Sequence, residues 1–272
     1  MPTPRDWQAT AFNTSPHSDN RIHSDEMAQA YGFRGGLVPG VVVSAYLIHP
    51  AVEAWGLDWL ERGHAKVVVH NPTYDGDVFD VQLSDVAPSS YRAALLDPSG
   101  VLNASGEIAL MKVAPDPPNM RGDPVILPGF YPPKTSFKTM QRLQEEGFSA
   151  LDVRWNQNCE ITSYLKDATA MPALHQVDEG DFANAGFMLG LTNWVLAANV
   201  SMNPWIHLQT ESQFYAPVRG GTLLRVECDI QELFNKSGHE FVDLNVNTFV
   251  QQTGQPVMSA LLRAIYKMRA AA

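Results

Sequence analysis

Residues 69–86 read VHNPTYDGDVFDVQLSDV, and residues 214–231 read FYAPVRGGTLLRVECDIQ. Pro72 and Pro217, Gly76 and Gly221, and Val81 and Val226 occupy matching places, each pair 145 residues apart. Within the second stretch Leu224, Val226, Cys228 and Ile230 alternate with Arg225, Glu227, Asp229 and Gln231. That period of two predicts a strand with one face on a core and the other in water. Turn residues follow each stretch at a similar distance, Asp97-Pro98-Ser99-Gly100 in the first half and Gln252-Thr253-Gly254 in the second. An apolar segment precedes each, residues 37–55 and 182–200. Both are apolar almost all round, as a helix buried by a sheet must be. Pro39 suits an early helical position, where its missing N–H costs nothing. Two copies of one supersecondary unit account for these repeats.

Further strands are predicted by the same alternation over residues 65–70, 78–86, 91–96, 101–113, 240–250 and 257–268. Short turns between consecutive strands imply antiparallel pairing. The expected fold class is therefore α+β: a tandem double hotdog, each unit a long central helix wrapped by an antiparallel sheet, the two packed as an intramolecular pseudo-dimer. The expected division is residues 1–114, a linker over 115–134, and residues 135–272. Pro115, Pro117, Pro118, Pro124, Pro128, Pro132 and Pro133 fall in or beside that linker. Proline removes backbone donors and fixes φ, so the stretch reads as a strap laid over the surface.

Composition narrows the function. A chain of 272 residues with 45% hydrophobic and 18% charged residues can bury a core without disulfides. Cys159 and Cys228 lie in no CxxC and read as buried thiols. The net charge of −10 argues against a nucleic-acid binder. No apolar run approaches the roughly 20 residues that cross a membrane. The start is polar, so a cytoplasmic location is the default expectation. The eight histidines form no HExxH and no His/Cys pair at ligand spacing, so neither a metal nor a cofactor is expected.

Chemistry is concentrated in residues 18–40, SDNRIHSDEMAQAYGFRGGLVPG. This segment resembles the active-site segment of the MaoC-like (R)-specific enoyl-thioester hydratase and dehydratase family, D-x-N-P-[IL]-H-x-D, then a short helix ending near GF, then HG opening the central helix. Asn20, Ile22, His23 and Asp25 match, as do Gly32-Phe33 and Gly40. The family's catalytic Asp falls on Ser18, with Asp19 one place late; its Pro falls on Arg21, and its His before the glycine on Pro39. The resemblance implies His23 as acid/base, the Gly40 N–H as donor to the thioester oxygen, and Asn20 as holder of the loop or of the water. Asp19 is the carboxylate that could stand in for the one lost at Ser18.

Hydration of a 2-enoyl thioester needs a base for water, a proton for Cα, and donors where charge builds on the thioester oxygen. A helix N-terminus supplies such donors. The residues also admit structural readings. His23 could be a loop histidine at the seam and Asn20 a turn former. Ser24 with Asp25 and Glu26 reads as the start of a helix running to Tyr31. Gly35, Gly36 and Gly40 could serve close packing.

The matching segment of the second half, residues 166–179, holds His175 but no Asn-x-Ile-His, so this half is expected to be catalytically silent. Its helix opens with Asp181 and Asn184, which supports a second reading, an acyl-CoA thioesterase using Asp181. A third is a non-catalytic hotdog that binds an acyl or other small ligand. In the stretch NPWIH, residues 203–207, Trp205 reads as core and His207 as a strand residue.

For substrate binding the candidates are Gly36, Gly40, Tyr31, Arg34, Asp181 and Asn184. Met27, Phe33, Phe187, Met188 and Trp194 could line an acyl tunnel. Arg34, Arg62, Lys66 and Arg219 could meet the phosphates of coenzyme A. The expected partner is an acyl thioester of coenzyme A or of a carrier protein, with further pairing of pseudo-dimers possible.

Overall fold

The computed structural model describes residues 2–156, 161–176 and 180–269; Cys159 and Glu179 lie outside the described residues. Among the described residues ten strands form one continuous antiparallel sheet. Its N-terminal half runs β1 (Trp7–Thr10), β3 (Val78–Ala87), β4 (Ser90–Leu96), β5 (Leu102–Leu110), β2 (Gly63–Val69). Its C-terminal half continues β7 (Ile206–Phe214), β10 (Pro256–Lys267), β9 (His239–Val250), β8 (Leu223–Lys236), β6 (Leu151–Arg154). Read outward from the centre, the two halves repeat one order. They join where β2 pairs with β7, His64 opposite Gln213 and Val67 opposite Thr210.

Each half wraps one long helix, α2 (Gly40–Trp55) or α5 (Ala185–Asn199), and the two helices pack on each other. Their first residues are 145 apart, the spacing of the repeat. Both start three residues after the beginning of the apolar run, because the chain first pairs as an isolated bridge: Leu37 with Tyr74, and Phe182 with Arg219. The next residues repeat the pattern. Val38 N–H donates to Thr73 O and Ala183 N–H to Val218 O, both at 2.8 Å. Pro39 consequently sits just before α2 as its cap residue rather than inside it.

The helix α2 is buried along nearly its whole length. Pro50 lies inside it and can donate no N–H to Tyr46 O. That carbonyl instead accepts from the Trp7 indole Nε1 at 3.1 Å, so strand β1 is stitched to the helix at the place the proline leaves open.

Residues 114–134 form no helix or regular strand. The strap is pinned at Glu227, which the alternation of β8 placed on the water face and which is in fact buried. Its carboxylate accepts from three successive backbone N–H groups: Arg121 at 2.7 Å, Gly122 at 2.7 Å and Asp123 at 3.0 Å. Three such bonds replace the water that the carboxylate gives up. Cys228, the next residue, is buried among core side chains, and burial raises its thiol pKa well above the usual value.

Shorter elements complete the chain: α1 (Asp25–Ala30), α3 (Leu57–Arg62) and α4 (Phe137–Glu146). No helix is long and apolar enough to cross a membrane among the described residues.

Candidate active site

The loop before α1 carries the motif. A 3-10 turn at Arg21–His23 directs His23 inward. Its Nδ1 lies 2.7 Å from Leu37 O, the residue that bridges to Tyr74. A carbonyl accepts only, so Nδ1 carries the proton and Nε2 keeps its lone pair. Burial lowers the pKa of His23, the bond to Leu37 opposing it in part, so the ring is neutral near pH 7.

Asn20 is locked across the seam between the halves. Its Oδ1 accepts from Trp205 N–H at 3.1 Å and its Nδ2 donates to Trp205 O at 3.0 Å. The same Nδ2 lies 3.4 Å from His23 Nε2. Arg21 N–H donates to Asn203 Oδ1 at 3.1 Å, a second tie to the same stretch. The motif loop of one half therefore rests on residues 203–205 of the other. Trp205 is buried in the core, as expected, and it also lines the site while its backbone holds Asn20.

Two cavities meet here. The smaller, about 170 Å³, is largely apolar, with Ile22, Phe33, Leu37, Val43 and Leu208 among its walls. The larger, about 700 Å³, has mixed walls that include Ser18, Asp19, Trp194 and, from the strap, Ile126 and Phe130. Asn20, His23, Asn193 and Trp205 line both. Gly40 lines the smaller one, and Pro39 and Val41 the larger, so the start of α2 sits at the junction. Val42 and Val43 N–H both donate to Pro39 O, whereas no protein acceptor takes Gly40 N–H among the described residues. Gly40 is also a close-approach glycine: a Cβ there would stand 2.8 Å from His207 Cδ2.

His207 lies in β7, as its reading as a strand residue has it, and it also belongs to the site. Its ring packs on Gly40 and lines the smaller cavity. Its Nε2 meets Thr210 Oγ1 at 2.5 Å and its Nδ1 meets Asn193 Oδ1 at 3.0 Å. Burial pushes its pKa down to about 3. Sequence reading missed Asn193 and His207 because they come from the half without the motif.

The remaining candidates fall elsewhere. Ser18 Oγ donates to Asn20 O at 3.2 Å, and Asp19 is exposed on the rim of the larger cavity. Asp25 starts α1, and its Oδ1 also accepts from Gly36 N–H at 2.8 Å. Gly36 thus has its donor engaged, and a Cβ there would stand 2.2 Å from His23 O, so it serves the packing of the motif loop rather than substrate. Ser24 is the cap position of α1, but its hydroxyl donates back to Arg21 O at 2.8 Å. Tyr31 ends α1 and lines neither cavity.

Arg34 forms a two-pronged pair with Asp77, at 2.6 and 2.7 Å, and lies over the Tyr74 ring. Arg62 pairs with Asp58, Lys66 with Glu211, and Arg219 stacks on Phe182. None of the four lines either cavity at the motif. Of the expected tunnel residues, Phe33 and Trp194 line the cavities; Phe187 and Met188 are core. Asn184 caps α5, its Oδ1 accepting from Phe187 N–H at 2.9 Å while its Nδ2 donates to Thr162 O at 3.1 Å. Asp181 accepts from Asn156 Nδ2 at 2.7 Å and lines neither cavity.

One ten-stranded antiparallel sheet around two packed helices, with the candidate site at the seam, defines a double hotdog protein. The solved structures agree. The chain is similar to a double hotdog protein of Mycobacterium tuberculosis, essential for survival during infection, at 14% identity and a TM-score of 0.61, covering 97% of this chain and 96% of that one. It is similar to a MaoC-domain protein of Chloroflexus aurantiacus, provisionally described as a dehydratase, at 10% identity and a TM-score of 0.55, over 98% and 95%. It is similar as well to a protein of Novosphingobium aromaticivorans, provisionally described as a thioesterase, at 15% identity and a TM-score of 0.55, over 97% and 96%. At these identities the likeness is one of fold. No protein-family model and no curated sequence matches the chain.

Proposed function

We propose that the protein is an acyl-thioester hydratase/dehydratase, adding water reversibly to a 2-enoyl thioester with His23 as the acid/base. The observation that carries this reading is the position of His23 Nε2, left unprotonated by the Nδ1 bond to Leu37, met only by the long 3.4 Å contact from Asn20 Nδ2, and lying where an apolar and a mixed cavity meet beside the start of α2. The acyl chain would take the smaller cavity, and the carrier arm, of coenzyme A or of a carrier protein, the larger.

In the hydration direction His23 Nε2 takes a proton from water as the water oxygen bonds to Cβ of the enoyl group. Electrons of the double bond move through Cα towards the thioester oxygen, where the Gly40 N–H and the N-terminal end of α2 favour the negative charge. The imidazolium then returns its proton to Cα, and one water has been added with the ring restored. A single histidine does both transfers, so the carboxylate missing at Ser18 is not required for balance. Burial keeps His23 neutral and ready at pH 7, at the cost of making it a weaker base.

The thioesterase reading required a carboxylate facing the cavity at Asp181, and the geometry of that residue favours it less. The test is absorbance in the enoyl-thioester band with crotonyl-CoA and longer 2-enoyl-CoAs, for wild type and His23→Ala, with a thiol reagent in parallel. Loss of the band that depends on His23, without thiol release, supports the hydratase. Thiol release that survives His23→Ala would transfer the assignment to a thioesterase. Silence in both channels would sink both and leave a ligand-binding hotdog.

A further inference from the structure

We infer that Asn193, on the helix of the half that lacks the motif, is a substrate-binding residue whose side-chain N–H holds the oxygen at Cβ, that of the attacking water or of the 3-hydroxyl group. This deepens the proposed reaction and rests on it. Asn193 lines both cavities, as do His23 and Asn20, and it is only half-buried in α5. Its amide turns Oδ1 towards His207 Nδ1 at 3.0 Å; an amide oxygen only accepts, so the ring proton is on Nδ1, and the Thr210 hydroxyl, which can donate or accept, donates to Nε2. With Oδ1 held from behind, Nδ2 has no protein acceptor among the described residues and is the donor left to the cavities.

The division of labour follows from donor and acceptor chemistry. His23 Nε2 accepts one water proton. Asn20 cannot hold the water oxygen well, because both ends of its amide are spent on Trp205. The Gly40 N–H is placed at the start of α2 for the thioester oxygen. An amide N–H at the junction orients the water by donating to one oxygen lone pair, leaving the other to attack Cβ. In this scheme His207 and Thr210 are positioning residues, acting through Asn193. The ring of His207 is also held against Gly40, where no side chain intervenes.

The test measures binding rather than turnover, by titration calorimetry in a His23→Ala background that cannot dehydrate the ligand, with 3-hydroxybutyryl-CoA and with butyryl-CoA, which lacks the 3-hydroxyl oxygen. Asn193→Ala should weaken 3-hydroxybutyryl-CoA about fivefold to tenfold, the range for one neutral hydrogen bond, and leave butyryl-CoA unchanged. His207→Leu should copy that selective loss, and His207→Asn, which keeps a donor near the position of Nδ1, should restore much of it. Thermal melting of each variant confirms the fold. Equal weakening of both ligands, or of neither, would overturn the role of Asn193 while leaving the acyl-thioester reading in place. If wild type binds neither ligand, the reading of the site itself fails, and the inference with it.

Discussion

The two halves hold their histidines by the same device and set them in different surroundings. His23 Nδ1 donates to Leu37 O, and His175 Nδ1 donates to Phe182 O at 3.2 Å; the two acceptors stand 145 residues apart, the spacing of the repeat. The far nitrogens differ. His23 Nε2 opens on two cavities, whereas His175 Nε2 is buried with no partner among the described residues. The difference has an identifiable source. The N-terminal half spends fourteen residues between its histidine and the bridge, enough for α1 and the Gly35-Gly36 turn. The C-terminal half spends seven, although in both halves the bridging residue reaches back to the carbonyl before the histidine, Leu37 N–H to Ile22 O at 3.1 Å and Phe182 N–H to Leu174 O at 3.0 Å. Around it His49 stacks on Trp7 at 3.9 Å and bonds Tyr164 at 3.0 Å, filling the space. At the place of Asn193, 145 residues earlier, stands Ile48, which is buried and apolar. A pseudo-dimer built from one motif thus keeps one open site and packs its counterpart shut.

The largest expected contrast is in turnover. His23→Ala should lower hydration about 10²- to 10⁴-fold, the usual contribution of a positioned acid/base. His175→Leu should leave kcat unchanged once rates are divided by the folded fraction. A progress curve with crotonyl-CoA reads both. If the His175 variant loses turnover as well, the C-terminal half is not silent and the asymmetry is wrong.

Much of this contrast was legible in the sequence. The 145-residue repeat placed both long helices and the strands after them, since their apolar patterns are strong and regular. The motif placed His23 and Asn20 on one loop. What escaped lies mainly at the seam. Strand β7 carries His207, Thr210, Ser212 and Gln213, all buried polar residues. The strand thus shows no hydrophobic alternation, because it sits at the middle of the sheet where the halves bond to each other. Strands β1 and β6 are four residues each, too short to show a period. Glu227 was assigned to water by alternation, and only the strap folded over it explains its burial.

Acid should expose the shut site. Burial lowers the pKa of His49 and of His175 to about 4, and that of His207 to about 3. An unfolded chain takes up these protons near pH 6.5 and the folded one does not, so stability is complete above about pH 6.5 and falls as the pH drops towards 4. Each group contributes up to about 1.4 kcal/mol per pH unit in that window. Urea unfolding followed by tryptophan fluorescence at pH 7 and pH 5 measures the slope, and His175→Leu should flatten it. A stability independent of pH over this range would mean that these rings are more accessible to water than their burial indicates. Turnover should hold steady through the ordinary histidine range and decline only further into acid, because burial lowers the pKa of His23.

Gly36 and Asp181 occupy the same place in the two repeats and give a finer comparison. Gly36→Ala drives a Cβ into His23 O, at 2.2 Å without movement. Relief requires the motif loop to shift, an overpacking cost of about 1–3 kcal/mol. Because the displaced group is the backbone of His23 itself, kcat should fall along with the melting temperature. An unchanged kcat would show that the loop tolerates movement and that the position of His23 is set chiefly by Leu37.

Asp181→Gly is expected to do least, and for reasons that cancel. Asp181 holds a left-handed φ of 52°, which disfavours a side chain and which glycine accepts readily, a relief of about 1–2 kcal/mol. Against this stand the lost bond to Asn156 at 2.7 Å, about 1 kcal/mol, and the greater freedom of glycine in the unfolded chain, about 0.4–1 kcal/mol. Stability should stay within about 1 kcal/mol of wild type, and hydration should be unaffected, since Asp181 faces neither cavity. The substitution makes the C-terminal half resemble the N-terminal one at this position without opening a site, because the short loop and the packed ring of His175 remain. A fall in turnover, or the disappearance of thiol release where wild type shows it, would put Asp181 in the chemistry and make the second half the working one.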